Sequence, residues 1–242
     1  MEQLDDVLGY ELKIYQRRDW FSFSLDSVLL ANFLTVKKTT KKILDLGTGN
    51  GIIPLILSLR TKSKIYGVDI QQDLIDLALK SVDYNNLSNQ IELFCMDMKE
   101  LLNKKSLYNT YDIIVSNPPY FTDFNLTKKN DDVHKTIARH EVKISLRDIF
   151  LISNRLLKDG GTFSIINRTD RLVEILNLFK EYGIEPKRIR FVYKDILSNS
   201  NMVYVEGIKS GKPYLKVDSP FIIYNSDGTP TKSYENLCKE VL

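Results

Sequence analysis

Two rhythms alternate along the chain. Short apolar runs at Ile43–Leu46, Lys64–Asp69, Ile91–Cys95, Tyr111–Ser116, Thr162–Ile166, Arg188–Val192 and Met202–Glu206 read as strands. Between them apolar residues fall at helical spacing. Leu25, Val28, Leu29 and Phe33 predict a helix from Leu25 to Leu34, with Ser24 as its N-cap and Asp26 suited to its dipole. Ile52–Leu59 predicts the next, with Pro54 in its first turn. Leu74, Leu77, Ala78 and Val82 form one face of Gln72–Tyr84, which Asn85-Asn86 stops. Leu146, Ile149, Phe150, Ile152 and Leu156 do the same in Ser145–Leu157, which Asp159-Gly160-Gly161 ends. Thr169 caps a helix from Asp170 to Glu181.

Alternating strands and helices require an α/β fold: a mostly parallel sheet with helices on both faces. Met202–Glu206 is expected to run antiparallel to its neighbour. Residues 1–23 look irregular, with short strands around Tyr10–Tyr15. Lys37–Lys42 is a solvated loop, and Thr122–His140 is a long polar stretch expected to be a mobile loop of open role. Tyr214–Val217 and Phe221–Tyr224 suggest a terminal hairpin around Ser219-Pro220, and Glu235–Leu242 a short helix. No repeat or boundary divides the chain. One domain is expected over residues 1–242, with an N-terminal extension and helix at 1–40 and an appendage at 207–242.

Composition narrows the classes. Hydrophobic content of 43% and charged content of 27% over 242 residues are ordinary for a globular chain. No apolar run approaches the roughly 20 residues of a membrane span. The start, Met1–Asp6, lacks the features of a signal peptide. Cys95 and Cys238 lack metal spacing. Cys95 ends an apolar run and is expected to be a buried thiol, and a reducing, cytoplasmic setting is expected. His134 and His140 are too few and too isolated for a metal site, so no metal is expected. Net charge is only +3, but it is uneven. Six basic residues face three acidic ones between Lys128 and Arg147, and seven face Asp195 and Glu206 between Lys187 and Lys216. Either a solvated basic face or a polyanion-binding surface follows.

The candidate chemistry lies at strand ends. Ligands of such sheets bind outside the carboxyl ends of the strands. Gly47-Thr48-Gly49-Asn50-Gly51 follows the first parallel strand and lets backbone approach a ligand closely. It lacks the spacing of a dinucleotide fingerprint and the Lys-Ser/Thr of a phosphate loop. Asp69, 18 residues beyond Gly51, ends the next strand and can accept two ribose hydroxyls. Asp97 lies just past the third and can accept from an exocyclic amine. Asn117-Pro118-Pro119-Tyr120 follows the fourth. Its prolines donate no N–H, fix their own φ and extend the residues before them. The stiff peptide offers the Asn117 amide oxygen and the Pro118 carbonyl as acceptors beside the Tyr120 ring. That suits a planar group carrying –NH2.

Asp45–Gly51, Asp69, Asp97 and Asn117–Tyr120, in this order, resemble the class I S-adenosylmethionine-dependent methyltransferases that modify amino groups. Phe21–Leu30, Ala138-Arg139-His140-Glu141 and the tail Glu185–Arg190…Gly207-Ile208-Lys209 are similar to one bacterial family of them. That family is the tRNA adenine-N6-methyltransferases acting on A37 of valine tRNA. The resemblance implies a Rossmann-like, seven-stranded sheet with its last strand antiparallel. It implies S-adenosylmethionine held by Asp45, Gly47, Thr48, Gly49, Asn50, Gly51, Asp69, Ile70, Asp97, Met98 and Asn117. Asn117, Pro118 and Tyr120 would be catalytic, with tRNA on Pro119, Phe121, Arg139, Lys187, Arg188 and Arg190. The tetrad also permits a release-factor glutamine methyltransferase, although those carry a longer helical domain before the glycine loop. It permits an rRNA guanine-N2 methyltransferase too. An RNA-binding protein with a vestigial site is the non-enzymatic alternative.

Overall fold

The computed structural model describes residues 2–8, 10–17, 24–119 and 144–239. Elements β1 (Glu2–Asp6) and β2 (Lys13–Arg17) pair as an antiparallel hairpin, where an irregular segment with short strands around Tyr10–Tyr15 was expected. The hairpin seats on α3 (Gln72–Tyr84): Tyr15 N–H donates to Ser81 Oγ at 2.8 Å, and Lys13 N–H to Asn85 Oδ1 at 3.0 Å. These partners lie far off in sequence, so periodicity over residues 1–23 does not reveal the pairing.

The main sheet contains β3 (Lys42–Leu46), β4 (Lys64–Asp69), β5 (Ile91–Cys95), β6 (Tyr111–Ser116), β7 (Leu157–Arg168), β8 (Ile184–Tyr193) and β9 (Met202–Lys209). Their order is β8-β9-β7-β6-β3-β4-β5, with β9 antiparallel to both its neighbours and the other pairs parallel. This is the expected seven-stranded arrangement. Successive residues of β3 serve opposite faces. Ile43 joins the core shared with α1 (Leu25–Phe33) and α2 (Ile52–Arg60), while Leu44 and Leu46 join that of α4 (Leu146–Leu156) and α5 (Leu172–Glu181). A strand covered on both faces is apolar throughout, hence the continuous runs.

Five expectations are corrected. The segments β10 (Lys216–Val217) and β11 (Phe221–Ile222) do not form a hairpin. Both run parallel along β8, whose open edge offers them unpaired backbone groups. Asp159-Gly160-Gly161 lies inside β7, where the pairing with β6 slips between Tyr111 and Ile113. Thr169 caps no α-helix; its hydroxyl meets Ser200 Oγ at 3.2 Å, and α5 starts only at Leu172. The last helix, α6 (Lys232–Lys239), starts earlier than expected, and Thr231 Oγ1 accepts from Tyr234 N–H at 3.2 Å. Cys95 is exposed because β5 is an edge strand whose Phe94 is also exposed. Among the described residues, no helix is long and apolar enough to cross a membrane. The Thr122–His140 stretch lies outside the described residues.

Candidate active site

Since β3 pairs with both β4 and β6, the three carboxyl ends are neighbours. Strands lie about 4.8 Å apart, so groups on these ends share one cleft mouth. The loop after β3 folds back on β4, with Gly47 N–H and Thr48 N–H both donating to Val68 O, at 2.9 and 3.0 Å. Gly49 has φ of +54°, a left-handed conformation that favours glycine, and its N–H reaches Asp69 Oδ2 at 2.9 Å. Asp69 Oδ1 accepts from Gln71 N–H at 3.0 Å. Burial pushes the Asp69 carboxyl up, and these N–H donors pull the other way.

Asp45 is fully buried, and neither carboxylate oxygen has a partner in good hydrogen-bond geometry, although the Thr48 hydroxyl stands near enough to act on it. Burial raises its pKa to about 7; the adjacent Thr48 hydroxyl opposes the rise and the Asp69 charge adds to it. Thr48 Oγ1 and Asn50 Nδ2 are likewise buried without a partner. Unpartnered buried polar atoms cost about 1–3 kcal/mol each and are rare in native folds. Four at the end of β3 and in the loop after it mark a place suited to a polar ligand. A cation facing Asp45 would restore its ionised form.

Gly67, which the sequence reading passed over, makes this loop possible. A Cβ there would stand 2.8 Å from Thr48 Oγ1 and 2.7 Å from Leu93 Cδ2. Its signal was a lone glycine in an apolar strand, a mark of close approach by other groups. Asp97 caps a 3-10 helix, Met98–Asn103, and accepts from Lys99 N–H at 2.9 Å. The Met98 side chain reaches the loop, its Cε 3.8 Å from where a Gly47 Cβ would be. Ile70 is exposed beside Asp69, its carbonyl 3.5 Å from Cys95 Sγ.

On β6, Ser116 Oγ donates to Leu46 O at 2.8 Å and ties the two strand ends together. Asn117 is half-buried, Pro118 buried and Pro119 exposed. Asn117 Nδ2 donates to Ser27 Oγ on α1 at 2.8 Å. Ser27 was also missed; its signal was a serine beside the apolar run Val28–Ala31. Tyr120, Phe121 and Arg139 lie outside the described residues.

The basic tail does not form one face. Lys187 lies in the first half of β8, near the sheet edge opposite the cleft, and its Nζ donates to Lys212 O at 2.9 Å. The Arg188 guanidinium is turned inward. It donates to Phe33 O and to Tyr204 Oη, the latter at 3.1 Å, and stands 3.6 Å from Glu206 Oε2. Arg190 lies over the Phe33 ring at 4.6 Å and donates from Nε to Ser219 O at 2.9 Å. Among the described residues, no group of three His, Cys, Asp or Glu side chains is placed to hold a metal ion.

Residues 14–191 match the methyltransferase small domain. The chain is 31% identical over 163 residues to a Bacteroides fragilis protein called tRNA1(Val) (adenine(37)-N6)-methyltransferase, covering 67% of each. A protein of the same name from Phocaeicola vulgatus is 30% identical over 198 residues, which covers 76% of this chain and 81% of the relative. The chain thus spans about two thirds or more of these relatives' lengths. Among solved structures, a predicted O-methyltransferase from Agrobacterium tumefaciens superposes with a TM-score of 0.71 at 19% identity. That superposition covers 90% of this chain and 98% of the other. At this identity the likeness concerns the fold.

Proposed function

The chain belongs to the methyltransferase small-domain family, and on that premise we propose that it methylates N6 of adenosine 37 in the anticodon loop of valine tRNA, with S-adenosylmethionine as donor. The curated relatives support the acceptor. The observation that carries the reading is the juxtaposition of two half-sites: unpartnered polar atoms at the β3 end, and a held carboxamide at the β6 end.

The residues present fit the donor. S-adenosylmethionine supplies, when bound, a methyl group activated by a positive sulfur. Asp69 would accept the ribose hydroxyls and Asp45 would face the amino-acid ammonium, the cation its buried carboxylate lacks. Asp97 would accept from the adenine amine, with Ile70 and Met98 as apolar surface beside it. Gly47, Thr48, Gly49, Asn50 and Gly51 would line the loop.

On the acceptor side, the adenine N6 lone pair is delocalised into the ring and is a poor nucleophile. Asn117 Oδ1 and the Pro118 carbonyl would accept its two N–H bonds, turning the lone pair toward the methyl group. They would also stabilise the positive charge growing on nitrogen. In such a transfer the carbon–nitrogen bond would form as the carbon–sulfur bond broke, and one N6 proton would leave to solvent. Holding amine and methyl in line supplies much of the rate. Tyr120 would stack on the base, with Pro119 and Phe121 beside it; such stacking is worth about 1–3 kcal/mol. Unstacking the target costs less in an anticodon loop than in a duplex. Arg139 and its basic neighbours would bind phosphate, with Lys187 further out. One methyltransferase domain over residues 1–242 and a cytoplasmic setting complete the proposal.

The test is to incubate the protein with labelled S-adenosylmethionine and, separately, tRNA, ribosomal RNA and release factor, then digest and identify the product. Label in N6-methyladenosine of valine tRNA is expected. Label confined to glutamine or guanosine would overturn the adenine reading.

A further inference from the structure

We propose that Ser27 is a positioning residue for the methyl transfer, orienting the Asn117 carboxamide from helix α1. The chemical consequence rests on the proposed function; the contact itself does not. Residues Ser27–Ala31 are all buried, so this part of α1 has no solvent face. Packing alone would favour an alanine there, the best helix former and one with no polar atom to bury. A buried hydroxyl needs a partner, and the partner here is the Asn117 side chain, 90 residues away in sequence.

A serine hydroxyl can either donate or accept, so contact alone would not fix which end of an amide faces it. The neighbouring N-cap offers the Ser27 hydroxyl proton an acceptor. Ser24 Oγ receives the Ser27 N–H at 3.4 Å and lies 3.4 Å from Ser27 Oγ. With the Ser27 hydroxyl proton directed to Ser24, Ser27 Oγ is left as the acceptor. It takes the Asn117 Nδ2 proton at 2.8 Å. The amide oxygen then projects from the other side of Cγ. In that arrangement the contact holds the Asn117 amide with its nitrogen on Ser27 and its oxygen turned away, the orientation the amine chemistry needs.

The helix that carries Ser27 is itself fixed. Arg60 donates to Ala31 O and Leu34 O, Arg188 to Phe33 O, and Glu206 accepts from Thr35 just beyond the helix. These contacts hold the C-terminal end of α1, so its first turn meets β6 at a set position.

The test uses the full-length protein. Ser27→Ala should lower kcat by about 10- to 100-fold, the scale of a small misplacement of a reacting group. Affinity for S-adenosylhomocysteine should stay within twofold, and Ser27→Thr should restore most of the rate. Adding Ser27→Ala to Asn117→Ala should cost nothing further. A kcat within twofold of the parent overturns the proposal, as does an equal further loss on the Asn117→Ala background. A second readout needs no turnover. The Asn117 side-chain NH2 resonances, assigned by their loss in Asn117→Ala, should move in Ser27→Ala; unmoved resonances refute the contact. Product in the wrong acceptor would overturn the adenine reading while leaving this resonance shift in place.

Discussion

Two buried polar clusters in this protein treat their side-chain atoms in opposite ways. Around Glu206, acceptors are filled. Its carboxylate takes Thr35 N–H at 2.9 Å, Thr35 Oγ1 at 2.7 Å, Tyr204 Oη at 2.5 Å and Ser164 Oγ at 3.2 Å, with Arg188 beside it. Around Asp45 they are empty: both its oxygens, Thr48 Oγ1 and Asn50 Nδ2 are buried without a partner. Burial and charge alone do not separate the two clusters. Satisfaction of the carboxylate does: the Glu206 oxygens are filled, with Arg188 Nε alone in that cluster lacking a hydrogen-bond partner, whereas the Asp45 oxygens retain their cost until something binds.

Breaking the filled cluster should have the largest effect, and on the fold alone. Glu206→Ala leaves Tyr204, Ser164 and Thr35 without their shared acceptor and Arg188 with Asp218, 3.5 Å from its Nε, as its remaining carboxylate. Removing one partner of a buried ion pair costs about 3–5 kcal/mol. Urea melts should show that loss, while the affinity of the folded variant for S-adenosylhomocysteine stays unchanged. A stability loss below about 1 kcal/mol would refute the clamp, because it would match an exposed pair instead.

The ligand half should respond the other way. Asp69→Ala removes acceptors that also hold Gly49 and Gln71. Cofactor affinity should fall about 100-fold, equivalent to about 3 kcal/mol. Titration calorimetry measures it directly, and an unchanged Kd would remove Asp69 from the site.

Asp45 carries a pH signature. Folding raises its pKa from 3.8 to about 7, so across that interval the folded protein keeps a proton the unfolded chain has lost. Stability from this group therefore falls as pH rises from 3.8 to about 7, and the full penalty stands above it. A shift of this size is worth roughly 4 kcal/mol. Asp45→Asn should recover about 2 kcal/mol of it at pH 8 in the ligand-free protein, since a buried amide lacks partners too. At pH 4 the gain should vanish. An equal gain at both values would show that the carboxyl is not shifted. The same substitution should weaken cofactor binding, trading function for stability.

How much of this was readable beforehand follows the same division. Gly47–Gly51, Asp69 and Asn117 sit at fixed points of a strand–loop–helix pattern, so order and spacing alone bring them to one edge of the sheet. The central strands β3 and β6 were legible because both faces of each are covered and their residues are mostly apolar. Where strands met an edge the logic lapsed. Cys95 looked buried in an apolar run that turned out to border the sheet, and β10 and β11 looked like partners because the open edge of β8 is invisible in their own residues. The Glu206 cluster was harder still, since Thr35, Ser164, Arg188, Tyr204 and Glu206 come from α1's end, β7, β8 and β9. Ser27 was hidden for the same reason, its partner being 90 residues away.

The smallest expected effect bears on the residue where sequence and structure read most differently. Arg188-Ile189-Arg190-Phe191 alternates as though one face of β8 met water, and a basic stripe suggested RNA. That face is instead covered by the end of α1 and by β11, and Arg190 lies over Phe33 at 4.6 Å and Phe221 at 5.6 Å. Its stem covers apolar surface while its head reaches the Ser219 carbonyl. Such a cation–π contact contributes about 1 kcal/mol when partly exposed. Arg190→Ala should therefore lower stability by about that amount. Were Arg190 a phosphate ligand, the variant would instead bind tRNA more weakly, and the slope of log affinity against log salt would shrink by about one. Measuring both separates the readings: lost stability with an unchanged salt slope assigns Arg190 to packing, and a reduced slope at full stability returns it to the RNA surface.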